Sequence, residues 1–555
     1  MNIVKGCPST SMNDYQLNTT TIIRHAARNF PEREIVYRTP QGISRYNYGE
    51  AYARIKRLAN VLGKLGINPG DRVGVLDWNT HRFYELYFGI PGIGAVLLQM
   101  NLRIAPEELS YVVNHSETKM IFVDESLIPV AEAIAPSLKT VRGYVIMTDK
   151  NLAEVQTKLS PVYSYEELLK EAEPEYKWPV IDETSAYSAC YTTGTTGKPK
   201  GVYYSHRCIY LHTMEAICYL GLSWKDCYIQ LVPMFHAQGW GFFFSATFMG
   251  AKIVLPGRYM VEDLGSLVDL MASEQVTIGC GAPAIFMPML NYINTLKEKP
   301  DFRGARLVSG ATEPPLVMAK GWKELTGADI IHAYGATETT PLVTFNLVKP
   351  DLETGLSDDE KWELKRKQGI PVTGLDVKIV DPEGKELPRD GKSSGEILIR
   401  GPWITGSYYN DSRTPEAFRD GYWKSGDAGT IDPNGYLKIT DRVKDLIKSG
   451  GEWISSVDLE NAIMAHPMVL EATVTGIYHP KWEERPLAFV VLKEEFKDKV
   501  AKEEIIDFIS SKFAKWQLPD DVVFIDEVPK TSVGKFNKKV LRERYKDYFV
   551  SKLND

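Results

Sequence analysis

Between two β-prone segments, Ala186–Cys190 and Val202–Tyr204, runs Tyr191-Thr-Thr-Gly-Thr-Thr-Gly-Lys-Pro-Lys-Gly201. Its residue types suit an anion. Gly194, Gly197 and Gly201 allow close backbone approach, Thr192, Thr193, Thr195 and Thr196 offer hydroxyl donors, and Lys198 and Lys200 offset negative charge. The P-loop of nucleotide hydrolases requires glycine, four residues, then Gly-Lys-Ser/Thr. This run departs from it: Thr192 stands where the first glycine belongs, and Pro199 where the hydroxyl that holds magnesium would sit.

Three further strings carry chemistry. Tyr334-Gly-Ala-Thr-Glu338 sets an aromatic face, a close-approach glycine, a hydroxyl and a carboxylate within one turn's length, and a hard cation seeks such carboxylate and phosphate oxygens. Asp427, in Tyr422-Trp-Lys-Ser-Gly-Asp427, can accept two hydroxyl protons at once, as a vicinal diol would require. Lys535 follows Gly534 near the C-terminus, with Lys530, Lys538 and Lys539 as neighbours in a local basic cluster.

These residues must be placed by the elements around them. Apolar spacing at Ile55, Leu58, Ala59, Leu62 and Leu65 marks a helix with one buried face, stopped at Gly66. Strand and helix signals then alternate: Arg72–Leu76, His81–Ile90, Ala95–Gln99, Pro106–Asn114, Met120–Val123. A second alternating run extends from a helix at Tyr210–Leu220 through a helix at Val261–Ser273 to a strand at Asp329–Ala333. The fold class expected is α/β: a large N-terminal domain of two helix-covered, mostly parallel sheets, a β-rich subdomain from about Thr373, and a small mobile α+β C-terminal domain. Residues 1–40 read as a weakly patterned lead-in with one helix, Thr19–Asn29. Ser455 to Asp458 reads as a capping box opening a helix. The expected division is 1–441, a hinge at 442–450, and 451–555. In such sheets ligands meet the loops that follow strand C-termini, where the Thr/Gly run, Ser309 and Tyr334 all fall.

The 555 residues allow a large core, and a net charge of −7 argues against broad binding to nucleic acid or anionic membrane. Six cysteines without a C-x-x-C pair suit a reducing cytoplasm. The most apolar stretch, Phe83–Met100, contains Glu85 and is broken by Gly89, Pro91 and Gly92, so it reads as helix, turn and strand rather than a membrane span.

Together the strings, with Pro233-Met-Phe-His-Ala-Gln-Gly-Trp240, Lys448-Ser-Gly-Gly-Glu-Trp-Ile-Ser-Ser456 and Pro529-Lys-Thr-Ser-Val-Gly-Lys535, resemble the adenylate-forming superfamily, in the fatty acyl-CoA synthetase branch. The resemblance implies ATP, Mg²⁺ and CoA, with a carboxylic acid converted to acyl-AMP and pyrophosphate and then to a thioester. It implies that Tyr334 stacks on adenine, that Thr337 bonds the α-phosphate, and that Glu338 and Thr192 hold Mg²⁺. Gly310, Ala311 and Thr312 line the purine pocket beside Ala333 and Gly335. His332 departs from the carboxamide or carboxylate of relatives, and either its ring or the backbone reads the adenine amino group. Asp427 and Arg442 take the ribose, Lys444 lies at the hinge, and Trp453 covers the nucleotide or packs in the small domain. Lys535 is the catalytic lysine of adenylation; Lys448, Gly450 and Gly451 line the CoA channel in a second conformation. His236 positions the carboxylate and Trp240 gates the acyl pocket. The leading reading is a medium- or long-chain fatty acid–CoA ligase; an aryl or methylthio acid, or another acyl acceptor, is the alternative, and a homodimeric state is left open. Retention of Lys535, Glu338, Asp427 and the full Thr/Gly loop argues against a nucleotide-binding regulator without activity.

Overall fold

The computed structural model describes residues 4–12, 14–192, 198–443, 445–449, 452–497, 499–530 and 536–554. Two large sheets form the N-terminal part. In the first, Val162–Ser164, Tyr144–Met147, Met120–Asp124, Arg72–Leu76, Val96–Gln99 and Ala186–Thr192 run parallel in that spatial order, and Lys200–Ser205 closes the edge antiparallel to Ala186–Thr192. The second places Asp329–Tyr334, Arg306–Ser309, Ile278–Gly281, Cys227–Gln230, Lys252–Leu255 and Glu34–Thr39 side by side in parallel, with short antiparallel strands at both ends.

The second sheet contains a correction to the reading of the N-terminus. Glu34–Thr39 and Gly42–Asn47 form a hairpin, and Ile35, Val36 and Tyr37 pair with Ile253, Val254 and Leu255. Only Ile35 and Val36 of the first strand are buried, so no alternation marks it, and its partner strand is more than two hundred residues away. Nearby, Val261–Ser273 is not one helix. It divides into a 3₁₀ turn at Val261–Asp263 and an α-helix at Gly265–Ser273.

Helices cover both sheets as the apolar spacing predicts. Tyr48–Lys64 opens on a reciprocal cap, with the Glu50 amide donating to the Asn47 side chain and the Asn47 amide to the Glu50 carboxylate. It ends before Gly66, whose φ of 73° suits only a residue without Cβ at low cost. The apolar run divides as expected into helix His81–Gly92 and strand Val96–Gln99. Among the described residues no helix is long and apolar enough to cross a membrane.

Asn79 ties the two sheets together at their C-terminal ends. Its amide donates to the carbonyls of Gln230 and Val232 at 2.7 and 3.1 Å and its oxygen accepts the Met234 amide at 2.8 Å. Tyr87 adds a hydroxyl bond to the Met234 carbonyl at 2.6 Å. The segment leading to His236 is therefore held from the opposite sheet.

A third, antiparallel sheet contains Asp376–Val380, Gly395–Arg400, Phe418–Arg419, Tyr422–Ile431 and Leu437–Arg442. The C-terminal unit has its own sheet and its own apolar core, including Ile447, Leu459, Val474, Val490, Ile505 and Val522. Its helix Ser456–Met464 starts with the Ser455 hydroxyl accepting the Asp458 amide. The reciprocal half of the expected box is missing, because the Asp458 carboxylate pairs with Lys438 at 3.0 Å.

Glu85, the charge within the apolar helix, is fully buried. Arg54 donates to one of its oxygens at 2.6 Å and Tyr165 to the other at 2.7 Å, while Arg54 also reaches Glu166. A buried charge is tolerated only when paired in this way. Glu85→Ala removes one partner and is expected to lower the stability of the N-terminal part by about 3 kcal/mol in chemical denaturation. Glu175→Ala, at the exposed Lys56 pair, should cost less than about 1 kcal/mol.

Candidate active site

The strand ends, the β-rich unit and the C-terminal unit enclose one cleft of about 1020 Å³. Its walls come from Thr192 and Lys200 at the edge of the first sheet, Gly310 and Ala333–Glu338 at the ends of the second, Tyr408 and Trp423–Gly426 from the β-rich unit, and Phe536–Lys539 and Arg542 from the C-terminal unit.

Gly335 can be nothing but glycine. A Cβ there would lie 1.6 Å from the Pro341 carbonyl oxygen. The turn that follows is bolted from three directions. Tyr204 donates its hydroxyl to the Thr337 carbonyl at 2.8 Å, the Thr405 amide donates to the Glu338 carbonyl at 2.8 Å, and the Tyr408 hydroxyl donates to Glu338 Oε1 at 2.8 Å. Trp423 Nε1 donates to that same Tyr408 oxygen at 3.2 Å. Lys200 Nζ sits 4.1 Å from the centre of the Tyr408 ring, and burial holds its ammonium below the usual lysine range while Glu338 pulls the other way. Thr192 Oγ1 is buried without a hydrogen-bond partner among the described residues.

At the other side of Tyr334, its hydroxyl donates to Asp427 Oδ2 at 2.6 Å, and Arg442 Nε reaches Asp427 Oδ1 at 2.8 Å. Burial, with the Asp427 charge beside it, keeps the Tyr334 phenol protonated far above its ordinary range. Both Asp427 oxygens are thus engaged within the protein.

The segment after His236 has an unusual backbone. Ala237, Gln238, Gly239, Trp240 and Gly241 have φ of 42°, 58°, 56°, 64° and 74°, a left-handed turn in which each non-glycine costs about 1–3 kcal/mol. Surroundings hold it in place. Gln99 Oε1 accepts the Gln238 amide at 2.7 Å, and Gln230 Nε2 donates to the Gly239 carbonyl at 3.0 Å. The turn presents the Trp240 indole to Gly310, where an added Cβ would meet Trp240 at 3.3 Å. Behind it, Phe242, Val308 and Leu342 make the cleft apolar, with the buried ring of His212 among them. Burial pushes the His212 imidazole down to about 4, so it is neutral.

Of the residues anticipated from sequence, Thr192, Lys200, His236, Trp240, Gly310, Ala311, Ala333, Tyr334, Gly335, Thr337, Glu338 and Arg442 all line this cleft. Others do not. The His332 ring lies off the cleft, its Nδ1 against the Arg366 carbonyl at 3.0 Å, because alternate strand residues face opposite ways and Ala333 takes the inward side. Thr312 is exposed, and Lys198 is exposed with its ammonium 5.0 Å from the Tyr111 ring. Lys448 is also exposed, in the strand Ile447–Ser449, whose neighbour is Glu452–Ile454. Thr193, Gly194, Thr195, Thr196, Gly197, Lys444, Gly450, Gly451 and Lys535 fall outside the described residues, as does the side chain of Trp453.

Of the basic residues near the C-terminus, Lys530 and Lys539 are exposed in surface pairs, whereas Lys538 is largely buried. Lys530 pairs with Glu471, Lys539 with Glu543, and Lys538 with Glu460 at 2.8 Å. Burial weakens the proton affinity of Lys538, but Glu460 and Asp441 outweigh it and hold the ammonium above its usual range. Sequence reading also missed Tyr204, Tyr408 and Trp423, whose types carry no signal without their partners.

The AMP-binding enzyme family matches residues 23–409, and the AMP-binding enzyme C-terminal domain matches residues 458–535. The chain belongs to the AMP-binding enzymes of the adenylate-forming superfamily. This AMP-forming acid–thiol ligase is 44% identical over 549 residues to a long-chain-fatty-acid–CoA ligase of Thermus thermophilus, with 98% of each chain covered. It is 40% identical over 531 residues to a 3-methylmercaptopropionyl-CoA ligase of Ruegeria lacuscaerulensis, covering 95% of this chain and 97% of the relative. A crystal structure of an anthranilate CoA ligase in complex with anthranoyl-AMP superposes with a TM-score of 0.83 at 26% identity, covering 97% of this chain and 99% of that one. ATP and CoA are substrates of this acyl-CoA ligase family.

Gly335→Ala in the ligase is expected to displace the Tyr334–Glu338 turn by an ångström or more. AMP release should fall at least about hundredfold, measured with pyrophosphate formation.

Proposed function

We propose that this ligase activates a medium- or long-chain fatty acid. The observation that carries the reading is the juxtaposition in one cleft of the Tyr334–Glu338 turn, the edge of the Thr/Gly loop at Thr192, and an apolar wall of Trp240, Phe242, Val308 and Leu342. The turn and loop suit a nucleotide; the wall suits an alkyl chain. The long-chain relative supports this choice, while the methylmercaptopropionyl relative makes a short thioether acid the second reading.

In this reading adenine stacks on Tyr334 beside Gly310 and Ala311, with the Ala333 backbone rather than the His332 ring at the amino group. Asp427 exchanges its bonds to Tyr334 and Arg442 for the ribose diol. Thr337 and the Thr/Gly loop with Lys200 hold phosphate oxygens. Thr192 Oγ1, buried and without a hydrogen-bond partner among the described residues, and the Glu338 carboxylate form an oxygen donor set that fits Mg²⁺, which wants a carboxylate or two plus substrate phosphates. Mg²⁺ bound there supplies charge neutralisation at the phosphates.

The substrate carboxylate lies by His236, already ionised at neutral pH, and needs no general base. Its attack on the α-phosphorus releases pyrophosphate. Lys535 belongs to the segment just before Phe536, which lines the cleft, and its ammonium offsets the charge that gathers in the transition state. The C-terminal unit, 451–555, then turns about 442–450 with Lys444 at the pivot. The rotation carries Lys448, which lies off the cleft, together with Gly450, Gly451 and Trp453 to the side where the CoA thiol displaces AMP.

A panel of fatty, aryl and methylthio acids with ATP, Mg²⁺ and CoA, scored by mass spectrometry, tests the reading. Acyl-CoA and AMP from C8 to C18 acids are expected; turnover restricted to aryl or short thioether acids refutes the fatty-acid assignment, and ADP with orthophosphate refutes adenylation itself. In the same panel Trp240→Ala should shift the preferred chain length, and an unchanged profile removes Trp240 from the gate. Lys535→Ala should lower acyl-AMP formation at least about hundredfold and leave thioester formation from supplied acyl-AMP close to wild type. Equal loss of both steps contradicts the two-conformation scheme.

A further inference from the structure

Glu338 is 8% exposed, and its two carboxylate oxygens differ in surroundings. Oε1 accepts the Tyr408 hydroxyl at 2.8 Å; Oε2 has no hydrogen-bond or ion-pair partner within the described residues, although Glu338 lines the cleft. Tyr408 is itself built into place. It is 4% exposed, receives the Trp423 indole N–H on its oxygen at 3.2 Å, and has Lys200 Nζ 4.1 Å from its ring centre. With the Trp423 proton entering the Tyr408 oxygen, the phenolic hydrogen is directed to Glu338, so the chain Trp423 to Tyr408 to Glu338 has one sense of donation.

This geometry separates two tasks that a lone carboxylate performs poorly. A free glutamate rotates among several rotamers and can pair with the neighbouring Lys200 ammonium instead of a divalent cation. Here the hydroxyl occupies one oxygen, and the ring lies beside the ammonium. We propose that Tyr408 is a positioning residue that fixes Glu338 so that Oε2 stays turned to the cleft for the divalent cation carried by ATP. The proposal rests on the assignment of Glu338 to that cation. Partners of this kind orient a metal-binding group without touching the metal, and their loss typically weakens metal affinity about 10–100-fold.

Tyr408→Phe deletes the hydroxyl and keeps the ring over Lys200. With the purified full-length enzyme, calorimetric titration compares ATP in excess EDTA with ATP saturated by Mn²⁺, and electron paramagnetic resonance counts bound Mn²⁺. Metal-free ATP is expected to bind within about twofold of wild type, while the gain in affinity conferred by Mn²⁺ drops about tenfold; the Mg²⁺ concentration giving half-maximal AMP formation rises by a similar factor. Trp423→Phe removes the donor behind Tyr408, together with part of a buried ring, and should shift the Mn²⁺ effect the same way by a smaller factor while metal-free ATP binding stays close to wild type. It carries the test if the thermal melt shows that Tyr408→Phe does not fold. An unchanged Mn²⁺ gain in the folded variant overturns the proposal, as does a parallel loss of metal-free and Mn²⁺-loaded binding, which a purely structural hydroxyl would produce. A wild-type enzyme that binds ATP equally with and without Mn²⁺ overturns the cation assignment to Glu338 and this proposal together.

Discussion

The buried carboxylate of Glu338, held at the point where the two large sheets and the β-rich unit meet, is the interaction on which the cleft depends. A negative charge at 8% exposure is costly unless hydrogen bonds and nearby cations offset it. The Tyr408 hydroxyl, from the loop between Gly395–Arg400 and Phe418–Arg419, bonds the carboxylate itself, with Trp423 behind it and the Lys200 ammonium against the Tyr408 ring. Tyr204 and the Thr405 amide hold the backbone of the same turn through the Thr337 and Glu338 carbonyls. The bonds to this one turn therefore tie three structural units together. In the proposed assignment the phosphates of ATP lie beside the same charge, and a divalent cation and Lys200 offset the repulsion.

A second constraint concerns backbone. The left-handed turn from Ala237 to Gly241 is disfavoured locally and is held by Gln99 and Gln230 from two different sheets. Asn79 performs the same bridging one step earlier, at Gln230 to Met234. The apolar wall of the cleft is thus set where the two sheets join. The C-terminal unit, with its own core, adds Phe536 to Lys539 to the cleft without being part of that junction. That independence is what a rotating unit requires.

Around Asp427 the protein satisfies its own charge: the carboxylate accepts from Tyr334 and pairs with Arg442. In the proposed assignment a ribose diol exchanges these bonds rather than adding to them, so only the difference between the two sets contributes to affinity.

Local sequence determined the glycine of the Tyr334 turn, most of the alternating elements of both parallel sheets, the separate C-terminal unit and part of the cleft lining, such as Thr192, Trp240, Tyr334 and Glu338, because backbone sterics and apolar periodicity act over a few residues. It could not determine the strand at Glu34–Thr39, whose partner is Lys252–Leu255, nor the side of the strand on which His332 falls. Nor could it reveal that Lys538 is buried against Glu460, or that Tyr408 and Trp423 serve Glu338. These facts are pairwise and distant, and a tyrosine or lysine has no distinguishing pattern until folding brings its partner within hydrogen-bond reach.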